Sequence, residues 1–556
     1  DIRDKVLFID ARNYSGHLEY IDLYDAQLKA TDVGVVGYEK NSQSFYLAEN
    51  FRLYKVVRDN YLPRHAFLRA YNLKTLILPR TCTEVVERAL QECEGLETLV
   101  LGDDMTSFNW NALDDDAMLT RMYILATQKV NITKDWAVWN ALCNNYSPTF
   151  DAFYVRPSLY QQYITDEAYT VDGQKTNNIS TGEFTDDESF AVFGAHAAAT
   201  IDDLTEVYSV NGWFDSHTGV RDLTALGYAA IDELRAEDIQ KLTQLEKVVL
   251  PVTLTTLEDS VFSKSPNLRY VDMLMCDSTL LIDEIRAHGF ATLGIDSLKT
   301  LVYVPSNFGT TEGTNIVVAD GSGFSTKTFR MVDDKDYCVP YAFTAGKVEN
   351  TRRVIGKGKP YTVFLPYELT FNPAMAKVYK PTDREGSIVT FEQVADGKVE
   401  ALKPYVIRPT GRQVSLNTNE ERSIPASSGY LGSLSENQWQ LPGYAMRGTL
   451  SRIDNKEAAE RQLMMLVGET WTTVPANNNN AYIAPFRAYI LQSGNSGNGA
   501  RELSMSFWDD EATAIDTIRT IDSDGTEHYY DLNGRELPSK PEKGIYIING
   551  KKHIKK

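Results

Sequence analysis

The chain has 556 residues, of which 43% are hydrophobic and 11% aromatic, and its 56 basic and 76 acidic residues give a formal net charge of −20. This length exceeds what one hydrophobic core supports, so three or four domains are expected. A strongly acidic chain is repelled by phosphate backbones, which argues against nucleic-acid binding. No apolar run is long enough to predict a transmembrane helix.

Residues 1–65 contain short alternating runs of apolar and polar residues, which are typical of strands. We predict a strand-rich region here, in which degenerate repeats are one interpretation of the segment from Phe51.

After this region, leucines recur at a constant step. The step from Leu73 to Leu96 is 23 residues, and so is the step from Leu245 to Leu268. The strings that recur are LKTLILP at 73–79, LETLVLG at 96–102, LEKVVLP at 245–251 and LRYVDM at 268–273. Apolar residues in LxxLxL spacing at such a period predict a leucine-rich-repeat solenoid, with these leucines on the strand side of each coil.

The repeats form two arrays. We predict a first array at residues 66–163 and a second at 201–325. An insertion or linker separates them at 164–200, where Asp, Thr, Asn and Gly replace the repeat pattern. In the second array the last step expands to 30 residues, and the apolar spacing at 280–285 predicts a helix inside the expansion.

After residue 325 the chain consists of short alternating runs separated by Gly, Asn and Asp. This pattern predicts an antiparallel β-sandwich-like or barrel-like module at 326–508, followed by a small β C-terminal tail at 509–556. The predicted fold class is therefore a mixed α/β leucine-rich-repeat solenoid in two interrupted arrays, followed by these two β-rich parts.

The five cysteines show no CxxC spacing. They therefore form neither a zinc ligand set nor a dense disulfide framework, and buried free thiols are expected. Cys82 and Cys93 lie in one repeat, and the sequence leaves open whether they pair.

The repeat strands, each with an aromatic residue or leucine six positions before its leading leucine, resemble the BspA-like leucine-rich repeats of bacterial surface proteins. The strings YTVFLPYEL, GSIVTFEQV, ALKPYVIRP and APFRAYI resemble a β-rich module of Bacteroides-type surface proteins. The final segments, DGTEHYYDLNGREL and KGIYIINGKKHIKK, are similar to type IX sorting domains. Together these resemblances span roughly residues 66–160, 220–306 and 360–556.

The resemblance implies an exported protein of a Gram-negative bacterium, displayed at the cell surface and in contact with a host protein or glycan. The chain starts at Asp1 without an initiator Met, which we interpret as a mature or trimmed chain. The missing leader then says nothing against export.

Signatures of catalysis are scarce. Neither HExxH nor GxSxG occurs. Asp215, Ser216 and His217 are close in sequence, but members of a catalytic triad converge from separate segments, so a polar turn is favoured. The acidic run at 114–116 precedes an apolar stretch, which favours helix capping over calcium binding. We predict no cofactor and no metal site.

Outward-facing strand positions are the candidate ligand-binding residues. In each repeat strand, the residue between the last two inward positions faces out of the sheet. These residues are Ile77, Val100, Val249, Asp272 and Val302. Four of the five are apolar, which is typical of a protein-docking patch, or of a sheet face that another domain covers. Trp110 and Trp213, flanked by Asn or Gly in predicted loops, are candidate exposed aromatic residues.

These observations favour a noncatalytic, exported cell-surface protein, expected to be a monomer, that adheres to or binds a protein or glycan through its solenoid. One alternative is a divergent surface hydrolase, which needs two close carboxylates or a nucleophile and base in a cleft. Another is a structural or assembly spacer, in which the β-module and tail carry the role.

Overall fold

In the computed structural model the chain divides into two compact units, Asp1–Gly309 and Thr310–Lys556. Within the part of the chain that is described, no helix is long and apolar enough to cross a membrane. The described residues are 20–22, 31–35, 54–56, 61–62, 66–67, 73–113, 119–133, 152–166, 169–171, 174–175, 179–215, 217–276, 278–309, 313–321, 323–427, 437–492, 502–508, 529–530, 535–541, 544–548 and 551–555. The predictions for residues 1–65 and for the acidic run at 114–116 fall largely or wholly outside these ranges.

The unit Asp1–Gly309 is built mainly from short strands. Its strands are β1 (Tyr20–Asp22), β2 (Thr31–Val35), β3 (Tyr54–Val56), β4 (Tyr61–Leu62), β5 (Thr75–Ile77), β6 (Glu84–Val85), β7 (Thr98–Leu101), β8 (Ser107–Asn109), β9 (Arg121–Ile124), β10 (Asn131–Thr133), β11 (Ala152–Val155), β12 (Thr170–Val171), β13 (Gln174–Lys175), β14 (Ile179–Ser180), β15 (Asp222–Leu223), β16 (Glu233–Leu234), β17 (Lys247–Val249), β18 (Thr256–Leu257), β19 (Tyr270–Asp272) and β20 (Leu301–Val304). Its helices are α1 (Tyr160–Ile164), α2 (Asp187–Gly194), α3 (Ile201–Leu204), α4 (Ala236–Ile239) and α5 (Thr279–His288). Short 3-10 turns lie at Trp110–Leu113, Pro157–Leu159, Thr224–Tyr228 and Ser306–Phe308.

Repeats of the first array supply strands to two parallel sheets. One sheet has the order β1-β5-β7-β9-β11-β14 and the other β10-β8-β6-β4. In the larger sheet Leu76 is the register partner of Leu99, which in turn pairs with Met122. The step of 23 residues in the sequence is therefore the step from one strand to the next, which confirms the predicted repeat strands.

Two kinds of contact maintain this step. Inward leucines such as Leu76 and Leu99 are buried in one continuous core, where each contributes about 2–3 kcal/mol of transfer free energy. At the turns, Thr106 Oγ1 donates a 2.8 Å hydrogen bond to the carbonyl of Thr83 one repeat earlier. A Cβ at Gly102 would collide with the backbone of Pro79 in the preceding turn, so only glycine fits where successive turns stack this closely.

The second array repeats this arrangement with β15-β17-β19-β20 in one parallel sheet and β16-β18 in another. Lys247 pairs with Tyr270, but Tyr270 pairs with Leu301, so the last step has 31 residues between register partners. The helix predicted in this expansion is confirmed as α5. Its N-terminus is capped by the Ser278 side chain, and it ends before Gly289, whose φ of 80° suits glycine.

The unit Thr310–Lys556 also consists mostly of strands. They are β21 (Ile316–Asp320), β22 (Gly323–Met331), β23 (Phe343–Asn350), β24 (Val354–Ile355), β25 (Tyr361–Phe364), β26 (Leu369–Thr370), β27 (Ala376–Glu385), β28 (Ile388–Gln393), β29 (Lys398–Val399), β30 (Pro404–Pro409), β31 (Gln413–Val414), β32 (Arg422–Ile424), β33 (Gln438–Leu441), β34 (Tyr444–Thr449), β35 (Met464–Val467), β36 (Thr470–Thr473), β37 (Arg487–Gln492), β38 (Glu502–Trp508), β39 (Tyr529–Tyr530), β40 (Glu536–Leu537), β41 (Gly544–Ile548) and β42 (Lys551–Lys555). The helix α6 (Asn455–Glu460) lies among them in the sequence.

The largest sheet of this unit has ten strands in the order β25-β30-β27-β28-β38-β36-β35-β37-β34-β33. Its neighbours pair antiparallel except β28 and β38, which are parallel. The Phe364 ring on the edge strand β25 occupies the space that a Cβ at Gly448 in β34 would need, so these two strands lie close together although they are far apart in the sheet order. A separate parallel pair, β22 with β23, shows that the predicted antiparallel pattern does not extend to every strand of this unit.

Strands of the C-terminal region form their own four-stranded sheet in the order β40-β39-β41-β42. All three pairings are antiparallel. On this sheet the Tyr546 side chain is buried and packs at 64° against the ring of Tyr529, with 5.7 Å between ring centroids. A short β segment is thus present where the tail was predicted.

Candidate binding surfaces of the repeat arrays

The outward positions of the first array do not form an exposed face. Ile77 and Val100 are register partners, and the same row continues through Tyr123 and Tyr154. All four side chains point away from the inner core, yet all are buried. Of the two interpretations that the sequence left open for Ile77 and Val100, a covered sheet face therefore fits these residues.

The segment around α3 provides part of this cover. The Tyr123 hydroxyl donates a 2.9 Å hydrogen bond to the carbonyl of Ala197, and Arg121 forms an ion pair with Asp203. Asp203 also accepts hydrogen bonds from the Thr200 backbone and hydroxyl in a capping box. Burial raises the pKa of Asp203, but these hydrogen bonds and the Arg121 charge outweigh it, so the pKa lies below its ordinary value.

The candidates of the second array occupy different environments. Val249 is half-buried against Gly227, and Asp272 is buried, with Oδ1 accepting a 2.9 Å hydrogen bond from the Leu274 backbone. The Asp272 side chain thus stabilises the turn that follows its strand.

The predicted outward orientation of Val302 is wrong. It pairs with Val271 in an inward row and is buried, while its neighbour Tyr303 pairs with Asp272 in the outward row. The error arises because the expanded step has 31 residues between register partners. A shift of one residue moves a strand side chain to the other face.

The two tryptophans are not free aromatic platforms. Trp110 is fully buried in the core, with its ring edge-on to Phe108 at 5.3 Å and to Phe153 at 5.7 Å, so its predicted exposure is wrong. Trp213 is half-buried and stacks on His196 with 3.8 Å between ring centroids. The predicted candidates therefore do not converge on one site.

An exposed apolar surface lies instead on the loops that follow the strands of the second array. Val252 and Met275 each stand two residues after the last inward apolar position of their repeat, and they are 23 residues apart. Their strands pair in register, so the two loops are neighbours. Tyr228 on the preceding loop and Leu280 on the first turn of α5 are also exposed.

We call Tyr228, Val252, Met275 and Leu280 the apolar rim. Their exposed fractions are 45%, 43%, 62% and 80%. Apolar residues this exposed on neighbouring loops are typical of an interaction surface, whereas single ones are ordinary. The signal was present in the sequence, because the position two residues after the inward leucine is Arg80 and Asp103 in the first array but Val252 and Met275 here.

A buried ionic cluster joins α2 to the end of the first array. Arg156 is buried, and its guanidinium donates to the Leu125 carbonyl at 2.6 Å, to Asp103 at 2.6 Å and to the Asp187 carbonyl at 3.2 Å. Because several acceptors satisfy its donors, Arg156 stabilises the packing of a helix whose side chains are mostly buried. The segment between the two arrays is thus folded against the repeats.

Glu188 on α2 faces both Arg156, at 4.0 Å, and the buried His217, at 3.7 Å. The neighbouring His217 lowers the pKa of Glu188, against the opposing effect of burial. Asp215 forms its ion pair with Lys241 instead. Asp215 and His217, the outer members of the local Asp-Ser-His sequence, therefore have different partners, and Ser216 lies outside the described residues.

A shallow pocket of about 480 Å³ opens beside this cluster, with Ser158, Asp186 and Arg221 among its lining residues. Burial raises the pKa of Asp186, which caps α2 through a 3.0 Å bond from the Ser189 backbone. Among the described residues, no group of three His, Cys, Asp or Glu side chains is placed to hold a metal ion.

None of the described cysteines, Cys82, Cys93, Cys276 and Cys338, forms a disulfide. Cys82 and Cys93 do not form a disulfide, and Cys93 Sγ lies 2.9 Å from the carbonyl of Phe67 as a hydrogen-bond donor. The question that the sequence left open is thus answered for this pair.

Comparison with known proteins agrees with the repeat architecture. Residues 42–145 and 230–297 match the BspA type leucine rich repeat region, in six copies. No curated protein matches the chain. The matched residues make up less than a third of the chain, so the similarity concerns the repeats and suggests a role in protein interaction at a surface.

Proposed function

We propose that this protein is a noncatalytic, exported cell-surface protein whose leucine-rich-repeat solenoid binds a partner protein through the apolar rim. The observation that carries the proposal is the placement of exposed Val252 and Met275 at one register position on neighbouring loops. A solenoid repeats such a position along its length and so presents it as contiguous surface. The match of the repeats to the BspA type region supports a protein-interaction role.

The rim suits a protein better than a glycan. Val252 is aliphatic and Met275 is a flexible thioether, and both types of side chain pack against apolar groups of a partner. Glycan sites combine several exposed aromatic faces with polar groups, whereas Tyr228 is the single aromatic residue of the rim, and Trp213, the predicted candidate, already stacks on His196.

The carboxylates of the 480 Å³ pocket support the noncatalytic part of the proposal. Asp186 caps α2, and Asp187 accepts hydrogen bonds from the backbone and the hydroxyl of Ser158. Glu188 faces Arg156 and His217. Each carboxylate therefore has a structural task, whereas a hydrolase needs one as acid and one as base or nucleophile.

The rim is tested by giving the second array the residues that the first array has at the same position. The double variant Val252→Arg, Met275→Asp is compared with the unaltered protein for binding to a panel of purified extracellular proteins and, in parallel, to a glycan array. We expect the protein partner to be bound at least about tenfold more weakly, because one or two buried anchors carry much of an interface's energy.

Arg80→Ala, at the matching position of the first array, is the control and should bind like the unaltered protein. The rim proposal is wrong if a protein binds both variants equally well, if only glycans bind, or if no protein in the panel binds.

We also propose that residues 509–556 direct export and that the protein is a monomer. The antiparallel sheet of β39 to β42 supports the proposal, because a small folded β segment is what a sorting domain presents. Removing residues 509–556 should abolish surface display in a bacterium with type IX export, measured by protease treatment of whole cells. Display of the shortened protein at normal levels would contradict the proposal, and light scattering of the purified protein reports its mass.

A further inference from the structure

The unit Thr310–Lys556 contains a pocket of about 660 Å³ that is separate from every surface described above. The start of β25, the turn between β35 and β36 and the segment 482–488 form its walls. Its size is that of a small-molecule site, and its lining combines apolar side chains with a few charged ones, as such sites do.

Arg352 is the decisive residue of this pocket. Only 7% of it is exposed, and among the described residues its guanidinium makes one hydrogen bond, to the carbonyl of Phe486 at 3.3 Å. No acidic side chain of the described chain lies within ion-pair distance of it. Its remaining guanidinium donors have solvent contact, and Arg352 lines the pocket.

Nearby charges do not neutralise Arg352. Asp333 forms its ion pair with Arg487, at 2.8 Å, so this one carboxylate faces two guanidinium groups. Burial, and then the Arg487 charge, lower the pKa of Arg352, which shows that its positive charge is poorly compensated. Arginine stays protonated in proteins, so the charge remains and favours an anion in the pocket.

Other lining residues agree with an anionic ligand. Lys359 is exposed at the mouth and adds a third positive charge. Glu469 is an acidic residue of the lining, but it lies 3.8 Å from Arg408, which does not line the pocket. The Arg408 charge therefore partly neutralises the negative charge of Glu469. Met465 and Ile483 line an apolar side.

The pocket also has aromatic residues in fixed positions. The Tyr482 hydroxyl donates to Asp334 at 2.8 Å, and the Arg452 guanidinium lies 3.5 Å from the centre of the Tyr482 ring. Tyr361 is held by its hydroxyl on the carbonyl of Ile355. Rings that are held in place suit a compact ligand body such as a sugar or phenyl ring.

We propose that this pocket binds a small carboxylic acid, with the carboxylate on Arg352 and Lys359 and a ring or short apolar body against Met465 and Ile483. The planar guanidinium matches a carboxylate through two parallel hydrogen bonds, which a spherical or tetrahedral anion does not use as well. The carboxylate can come from an acidic sugar or from an aryl-alkyl acid, and both present the same group to Arg352.

Calorimetry on the full-length protein tests the proposal with two probes, glucuronate and 3-phenylpropionate, and their uncharged amides. At least one acid should bind with a Kd of about 1 mM or tighter, and its amide about tenfold more weakly, because the amide cannot form the charge-assisted pair. The acid that binds more tightly identifies the source of the carboxylate. Inorganic phosphate should bind more weakly than that acid.

Variants locate the site. Lys359→Glu should weaken the acid about tenfold by reversing a charge at the mouth, and Ala484→Phe should block binding by filling the apolar side. Lys456→Glu, an exposed residue of α6 with the same change of charge, should bind normally. A thermal melt confirms that each variant is folded.

Equal binding of acid and amide, stronger binding of phosphate, no binding of either acid, or normal binding by both pocket variants would overturn the proposal. The rim variants lie in the other unit, so failure of this inference leaves the rim proposal unaffected.

Discussion

The two repeat arrays share one design inside and differ outside. Leu78 and Leu101 in the first array, and Leu250 and Met273 in the second, occupy corresponding inward positions of their repeats and are all buried. Two residues later the first array has Arg80 and Asp103, and the second has exposed Val252 and Met275. The inward residues are constrained by packing, whereas the turn positions are free to vary, so a difference there is informative about binding.

The outward strand row differs as well. In the first array it is apolar and aromatic and lies under the segment that carries Ala197 and Asp203. In the second array it contains Asp272, which holds its own turn, and half-buried Val249. The first array thus uses this row for internal packing, whereas the second array exposes apolar residues on its loops.

The largest expected effect on the free energy of unfolding concerns the inward-facing leucines, which both arrays have. Leu99→Ala and Leu250→Ala should each lower the free energy of unfolding by about 3 kcal/mol, because each removes a fully buried side chain and leaves a cavity. Urea unfolding followed by circular dichroism measures the change. The exposed Arg80→Ala should cost no more than about 0.5 kcal/mol. A twofold difference between the two leucine variants would show that the arrays do not share one packing design.

A smaller effect is expected where the first array is covered. Asp203→Asn should lower the free energy of unfolding at neutral pH by about 1 kcal/mol, because it removes the charge that Arg121 and the Thr200 hydrogen bonds stabilise. The folded-state pKa of Asp203 is lowered, so this stabilisation is present above the pKa of the unfolded state and is lost as pH falls through the folded pKa.

The difference between the unaltered protein and Asp203→Asn should therefore shrink as the solution is acidified below about pH 4. Unfolding curves at several pH values measure it. A difference that stays constant down to strongly acidic pH would mean that the ion pair does not stabilise the cover.

The smallest expected effect concerns the reactivity of the buried cysteine thiols in the two arrays. Cys82 in the first array and Cys276 in the second are both buried, and burial raises the pKa of Cys82 to about 12. Neither should react with a maleimide at pH 8 in the native state, since the thiolate is the reactive form, while half-buried Cys338 should be labelled first. Peptide mass spectrometry after brief labelling identifies the sites, and rapid labelling of only one array would indicate that this array opens locally.

Local patterns predicted much of this architecture. The spacing of leucines predicted strands such as β5 and β7, and the apolar spacing after Cys276 predicted α5, because both depend on contacts between residues near in sequence. The burial of Trp110 was missed, since polar neighbours in sequence suggested a loop while the tertiary structure places the ring between Phe108 and Phe153. The displaced register of Val302 was missed because the length of an insertion does not specify how the next strand pairs.

By itself the sequence determined the step of the repeats, their inward leucines and the strand-rich character of the chain, because these follow from side-chain periodicity and from the free energy of burying apolar surface. Only the tertiary structure decided which outward residues remain in water. Ile77 and Val100 look like a docking face in the sequence, yet they are buried, whereas Val252, Met275 and the pocket around Arg352 remain accessible. Exposure of a strand face depends on which distant parts of the chain cover it, and the alternation of side chains along one strand does not record that.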